Sequence, residues 1–300
     1  MASIEPSTME HFKNVVSTEW LQENLNAPNL RIYDCTYYRE LPAHIGTGNF
    51  HASSQADYDV AHIPGAVHLA LQEDFSRADS PLRFTLPTPD AAARAFASRG
   101  VGDGMRVILY GRMSTQIATR FWWMLRWLGF DDAYILDGGF DKWTAEGRPV
   151  SRVPSSYPAA SLSGSVRPHV FFDKERVLNR LNEEDTCIVD TLAVEVHSGE
   201  AARYPRRGRI PGSANVPYAS LLKKNSLELN DPASARQAFA KAGVRPGQTV
   251  VTYCGSGIAA TLSAFVLTQL NYPDVAVYDG SMNEWSADNQ LPMEVDPEFR

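Results

Sequence analysis

No apolar run in this chain reaches the roughly 18 residues that a membrane-spanning helix needs; the richest stretch, Phe121 to Phe130, is broken by Arg126. Residues Met1 to Phe12 hold acidic groups and no apolar stretch of the secretory kind, so a cytoplasmic setting is expected. Cysteine is scarce: Cys35, Cys187 and Cys254 are odd in number and too few for a disulfide framework. A basic excess is missing as well, because 28 Lys and Arg stand against 35 Asp and Glu, for a net charge of −7. A sequence-independent binder of phosphate backbones needs a basic face, so neither nucleic acid nor a membrane is an expected partner. No His/Cys cluster stands at metal-ligand spacing, and no P-loop occurs. No Gly-x-Gly-x-x-Gly opens a helix, and no Gly-x-Ser-x-Gly elbow appears.

What the chain does contain is a repeat. Its 300 residues, 44% of them apolar, suffice for two packed domains. Arg94-Ala-Phe-Ala-Ser-Arg-Gly-Val101 matches Gln237-Ala-Phe-Ala-Lys-Ala-Gly-Val244 at an offset of 143. The next apolar runs, Arg106–Tyr110 and Thr249–Tyr253, keep that offset at Tyr110 and Tyr253. Asp137-Gly-Gly-Phe-Asp-Lys-Trp143 matches Asp279-Gly-Ser-Met-Asn-Glu-Trp285 at 142, and Ile63-Pro-Gly65 matches Ile210-Pro-Gly212 at 147. Upstream, Arg31-Ile-Tyr-Asp34 matches Cys187-Ile-Val-Asp190 at 156. The offset drifts only between blocks, where loops accept insertions. The order and spacing indicate a tandem duplication, with a first domain over 10–150 and a second over 167–296. Between them 151–166, rich in serine and proline, reads as an extended linker.

Within each copy, short β-branched runs alternate with longer helical patterns. Thr115–Leu128 places Ile117, Phe121, Trp122, Leu125 and Leu128 at helical spacing before Gly129, and Ala259–Leu270 plays the same part in the second copy. Strands alternating with helices imply an α/β architecture, each domain a parallel sheet with helices on both faces. Ligands of such sheets bind beyond the carboxyl ends of the strands, which draws attention to the residues immediately after Tyr253.

There the sequence reads Cys254-Gly255-Ser256-Gly257-Ile258-Ala259. A cysteine leaves a strand, glycines permit a tight turn, and a helix begins at once. The amides of such a loop form an anion-binding nest, and the helix N-terminus adds positive potential. A thiolate placed there is stabilised, and its sulfur becomes a nucleophile. The first copy has Gly111 at this position, so it keeps the frame, loses the thiol and reads as catalytically inactive. Cys35 and Cys187 lie on the first strands of their copies and read as small buried hydrophobes.

Asp59-Val-Ala-His-Ile-Pro-Gly-Ala66, the Asp-Gly-Gly-x-x-x-Trp element, the duplication and a loop cysteine confined to the second copy resemble the tandem rhodanese family of sulfurtransferases. The resemblance spans about Val15 to Val295. It implies two tandem rhodanese-like domains and a persulfide mechanism. Cys254 would take a sulfane sulfur from a small anionic donor, cradled by the amides of Gly255, Ser256, Gly257, Ile258 and Ala259. The sulfur would then pass to cyanide, a thiol or a thioredoxin-like protein. Neither metal nor organic cofactor is required by that chemistry. Thiosulfate and 3-mercaptopyruvate are the family's donors, and Cys-Gly-Ser-Gly resembles the mercaptopyruvate branch. Ser256 then either hydrogen-bonds the sulfur or substrate or serves as a turn residue.

Several positions depart from that branch. Where it carries an arginine about six residues beyond Asp190, this chain has Val196 and His197. The second His-Ile-Pro-Gly has Arg209 in place of its histidine. Gln72 stands where an acidic residue is expected, and Phe84 replaces a histidine. An anionic donor still needs a cation. Arg203, then Arg209, are the candidates for a carboxylate or sulfonate clamp, with His197 beside them as a substrate-binding candidate. Arg206 and Arg207 read as a solvated basic loop.

His62 reads as part of a fixed turn, and Trp122, Trp123, Trp127, Trp143 and Trp285 as packing residues. A Cys-dependent phosphatase would need an arginine at position 260, where the chain has Ala260. A non-catalytic binding or regulatory role is the remaining alternative, and the presence of Cys254 argues against it. A redox sensor would want a resolving thiol near the loop.

Overall fold

The computed structural model describes residues 11–38, 54–181 and 183–299. Residue 10, at which the sequence suggests that the first domain starts, lies outside them. Among the described residues ten short strands form two five-stranded sheets. They are β1 (Val15–Val16), β2 (Leu30–Asp34), β3 (Val67–His68), β4 (Arg106–Tyr110) and β5 (Ala133–Leu136) in the first copy. The second copy has β6 (Phe171–Phe172), β7 (Thr186–Asp190), β8 (Ala214–Asn215), β9 (Thr249–Tyr253) and β10 (Asp274–Tyr278). The central strands are buried over most of their length, as strands covered on both faces must be, and β9 is buried throughout.

The sheet orders are β1-β5-β4-β2-β3 and β6-β10-β9-β7-β8, one topology written twice. In the first sheet β2 pairs in parallel with β3 and β4, and β4 with β5. In the second, β7 pairs in parallel with β8 and β9, and β10 with β6 and β9. Connections β6 to β7 to β8 step one way across the sheet, and β8 to β9 to β10 step back. Right-handed crossovers therefore place the two sets of helices on opposite faces. The reversal opens a crevice beyond the carboxyl ends of β7 and β9, the switch point where α/β sheets hold ligands. In the first sheet the corresponding crevice lies beyond β2 and β4.

Local signals recur at equivalent positions. The helices Pro89–Ala97 and Pro232–Lys241 both start with proline after a capping side chain. Thr88 accepts the Ala91 amide at 3.3 Å, and Asp231 that of Ser234 at 2.9 Å. Phe96 and Phe239, matched in the repeat, are both fully buried. Phe96 packs against Phe75 and Phe121 with ring centroids 4.6 and 6.2 Å away. The expected packing tryptophans are buried, and Trp123, Trp143 and Trp285 completely so.

The chain divides into two compact units. One holds 16–79 and 86–166; the other holds 167–300 together with 80–85 and the residues up to Val15. The stretch read as a linker, 151–166, has no helix and is fastened along the first unit. There Tyr157 donates to the Gly65 carbonyl at 2.7 Å and accepts the Ile32 amide at 3.1 Å. His62 is completely buried, with its ring nitrogens 2.7 and 3.0 Å from the Tyr58 and Val153 carbonyls. Its ring stacks on Tyr58, so it serves the turn.

Candidate active site

Strand β9 ends at Tyr253, and Cys254 comes next, almost fully buried, at the switch point of the second sheet. Register pairs Tyr253 with Asp190 on β7. Thr191 donates both its amide and its hydroxyl to the Tyr253 carbonyl, each at 3.0 Å, which ties the two strand ends together. Burial pushes the Tyr253 phenol far up, so it stays neutral. It accepts the Ile210 amide at 3.2 Å and shares a 3.0 Å hydrogen bond with Ser213, which holds the Ile-Pro-Gly turn against the sheet.

The loop is shaped from beneath by Ser281. Its Oγ accepts the amides of Cys254 and Gly257, each at 3.1 Å, and donates to the Tyr278 carbonyl at 2.8 Å. Ser281 adopts φ +50°, a left-handed conformation that costs a non-glycine residue roughly 1–2 kcal/mol. Three buried hydrogen bonds at about 1 kcal/mol each offset that strain. The repeat has Gly139 here at φ +59°, so serine stands where the backbone favours glycine, for the sake of its hydroxyl. Met282 and Asn283 donate their amides to the carbonyls of Cys254 and Gly255 at 3.0 and 2.9 Å. Gly257, at φ +69°, has no room for a side chain, because a Cβ would lie 2.5 Å from the Asp279 carbonyl oxygen. A Cβ on Gly255 would meet the Tyr204 hydroxyl at 2.3 Å. Tyr204 thus lies directly over the residue after the cysteine. The amides of Gly255, Ser256, Ile258 and Ala259 meet no acceptor among the described residues.

Of the charged candidates, His197 and Arg203 remain available. His197 Nδ1 faces the buried Asp190 carboxylate at 2.9 Å, which orients the ring and leaves Nε2 unengaged among the described residues. Arg203 is exposed and makes no hydrogen bond or ion pair among the described residues. Arg209 does not match the clamp expected of it. It pairs with Glu294 and, at 2.7 Å, with Asp296, and it donates to the His197 carbonyl at 3.2 Å. Two internal carboxylates already satisfy its guanidinium. The Gly212 amide and then Arg209 hold the Glu294 carboxyl below the usual range. Arg206 is no solvated residue either, since it donates to the carbonyls of Trp285, Ser286, Asp288 and Leu291 at 2.5–2.9 Å.

The first copy closes the same place. Arg112, the counterpart of Gly255, folds across its loop to the buried Asp34 at 3.5 Å and to the Ala61 carbonyl, 3.7 Å from the centroid of Phe140. A Cβ on Gly111 would lie 2.5 Å from the Ser114 oxygen and 2.7 Å from Ile117 Cγ2. Among the described residues no group of three or more His, Cys, Asp or Glu is placed to hold a metal ion. No helix among them is long and apolar enough to cross a membrane.

Comparison with known proteins agrees with this architecture. The rhodanese-like domain family matches residues 17–146 and again 173–288. This chain belongs to the rhodanese family. It is 30% identical to the 3-mercaptopyruvate sulfurtransferase of Escherichia coli K12 over 282 residues, 93% of this chain and 97% of that protein. It is also 30% identical to the thiosulfate sulfurtransferase of Cricetulus griseus, over 91% of this chain and 92% of that one. The crystal structure of SseA from Escherichia coli, described as a 3-mercaptopyruvate sulfotransferase, superposes with a TM-score of 0.78 at 28% identity. It covers 90% of this chain and 99% of that one.

Two participants in the rhodanese loop escaped the sequence reading. Ser281 had a signal: the Gly-Gly of the first copy becomes Gly280-Ser281 in the second, an exchange against backbone preference. Tyr204 had none, because only folding brings it to Gly255, 51 residues further along the chain.

Proposed function

We propose that this rhodanese is a sulfurtransferase in which Cys254 carries the sulfur, and that its first domain is catalytically inactive. The observation that supports this reading best is the setting of Cys254. It lies at a switch point, on a loop whose outer amides have no acceptor among the described residues. In the proposed cycle the Cys254 thiolate attacks the sulfane sulfur of a small anionic donor. The bond from that sulfur to the rest of the donor breaks, and its electron pair leaves with sulfite or with the enolate of pyruvate, which takes up a proton. The persulfide Cys254–S–S⁻ remains, its charge met by the amides of Gly255, Ser256, Ile258 and Ala259. A nucleophilic acceptor then takes the outer sulfur and returns the thiolate.

The uncharged Gly255-Ser256-Gly257 favours 3-mercaptopyruvate over thiosulfate as donor. Arg203 would supply the cation for its carboxylate, with His197 Nε2 as a second contact. Cyanide or a thiol is the acceptor, and a thioredoxin-like dithiol belongs to the same proposal. Cys35, Cys187 and Cys254 are all free thiols, which suits a reducing cytoplasm.

Intact-protein mass spectrometry after separate incubations with thiosulfate and 3-mercaptopyruvate tests the reading. The expected result is a gain of one sulfur atom that Cys254→Ser abolishes, greater with 3-mercaptopyruvate. A gain that survives the substitution would move the carrier elsewhere. No gain with either donor would favour a binding role.

A further inference from the structure

The two copies differ in what occupies their loop amides. In the first copy the amide of Arg112 donates to Thr36 Oγ1 at 3.2 Å, and that of Met113 to Asp141 Oδ2 at 2.9 Å. Through the repeat, Arg112 and Met113 correspond to Gly255 and Ser256, Thr36 to Leu192, and Asp141 to Asn283. Hydrogen bonding repeats that correspondence. The amides of Thr36 and Leu192 donate to Oδ1 of Asp34 and Asp190 at 3.0 and 2.9 Å. Those of Phe140 and Met282 donate to the carbonyls of Gly111 and Cys254, both at 3.0 Å.

In the second copy the hydroxyl has gone and the carboxylate has become a neutral amide, whose oxygen takes neither loop amide among the described residues. Leu192 has no hydroxyl, the Asn283 side chain carries no charge, and the Gly255 and Ser256 amides meet no acceptor among the described residues. The first copy fills its anion site with its own Asp141 and Thr36.

We propose that Leu192 and Asn283 are specificity-determining residues, which keep the Gly255 and Ser256 amides open to the negative charge of an incoming reagent. The proposal deepens the sulfurtransferase reading and rests on Cys254 as the reacting group. A carboxylate at position 283 would compete for the Ser256 amide and repel an anion approaching Cys254. A hydroxyl at position 192 would compete more weakly for the Gly255 amide.

Two alkylating reagents of similar size test this without sulfur chemistry. The Cys254 thiolate displaces iodide from anionic iodoacetate or from neutral iodoacetamide, and peptide mass mapping tracks both rates at Cys254. Asn283→Asp is expected to lower the iodoacetate-to-iodoacetamide rate ratio by about ten-fold or more, the loss of one charge-assisted contact. Leu192→Thr is expected to lower it about three-fold, in line with a neutral hydrogen bond. Asp141→Asn in the first copy should leave the ratio unchanged. An unaltered ratio in Asn283→Asp, with a normal iodoacetamide rate, would overturn the proposal. If that variant does not fold, an unaltered ratio in Leu192→Thr does so instead. Normal sulfur loading with an unresponsive ratio defeats this inference alone. A responsive ratio in a protein that loads no sulfur supports it and defeats the sulfurtransferase reading.

Discussion

At the carboxyl end of β4 the chain reads Gly111-Arg112-Met113, and at that of β9 it reads Cys254-Gly255-Ser256. The first loop is self-satisfied: Arg112 answers the buried Asp34, while Thr36 and Asp141 take the loop amides. In the second loop Asp190 meets His197 instead, and the outer amides meet no acceptor among the described residues. The frame is held alike in both, since Tyr110 and Tyr253 each accept the amide of the isoleucine in the Ile-Pro-Gly turn. Duplication kept the parts that position the loop. A few side chains decide whether that loop is filled from within or kept open.

Moving the thiol between copies puts the greatest pressure on this contrast. Cys254→Ser should lower sulfur transfer by at least about a thousand-fold, as removal of a nucleophile does. Adding Gly111→Cys to it should restore nothing in a turnover assay, because the new Cβ would press on Ser114 and Ile117. Restored turnover would show the two loops to be interchangeable. Arg112→Ala is the next largest perturbation. It strips a fully buried Asp34 of its guanidinium and should destabilise the first unit by about 3 kcal/mol in urea unfolding. Persulfide formation at Cys254 should stay unchanged.

Ser281→Ala removes the acceptor shared by the Cys254 and Gly257 amides, and should slow sulfur loading about ten-fold. Gly139→Ser, its counterpart, should leave loading unaltered. The smallest effect is expected at the junction that replaces the second histidine turn. Glu294→Gln should cost about 1 kcal/mol at pH 7, a modest figure because the carboxylate is a third exposed. The folded protein holds this carboxyl below its ordinary range, so its contribution is present above the unfolded value and is lost as pH falls through the folded one. Melting curves of the two proteins should therefore differ at pH 7 and converge only as the pH falls below the ordinary carboxylate range. A gap that persists in acid would assign the loss to packing.

How far the chain could be read in advance differed by residue. Cys254 and its glycines were legible, since a strand, a thiol and a turn adjacent in sequence stay adjacent in space. Trp143 and Trp285 were legible as packing residues because the repeat placed them at the same position twice. Arg209 and Arg206 were misread as anion clamp and solvated loop. Their partners, Glu294, Asp296 and the carbonyls of Trp285, Ser286, Asp288 and Leu291, lie some 80 residues away. A guanidinium does not reveal in sequence whether its anion is internal or a substrate.

The amino-acid sequence by itself determined the two-fold repeat, the α/β class and the strand–cysteine–glycine loop at Cys254, because periodicity and adjacency are local properties. Only the tertiary structure decided which charges are already neutralised from within and which loop amides meet no acceptor among the described residues. Those depend on side chains from separate strands and turns converging at a sheet's carboxyl edge. Pairing at that edge depends on the register of β7 on β9 and β2 on β4, which distance along the chain does not encode.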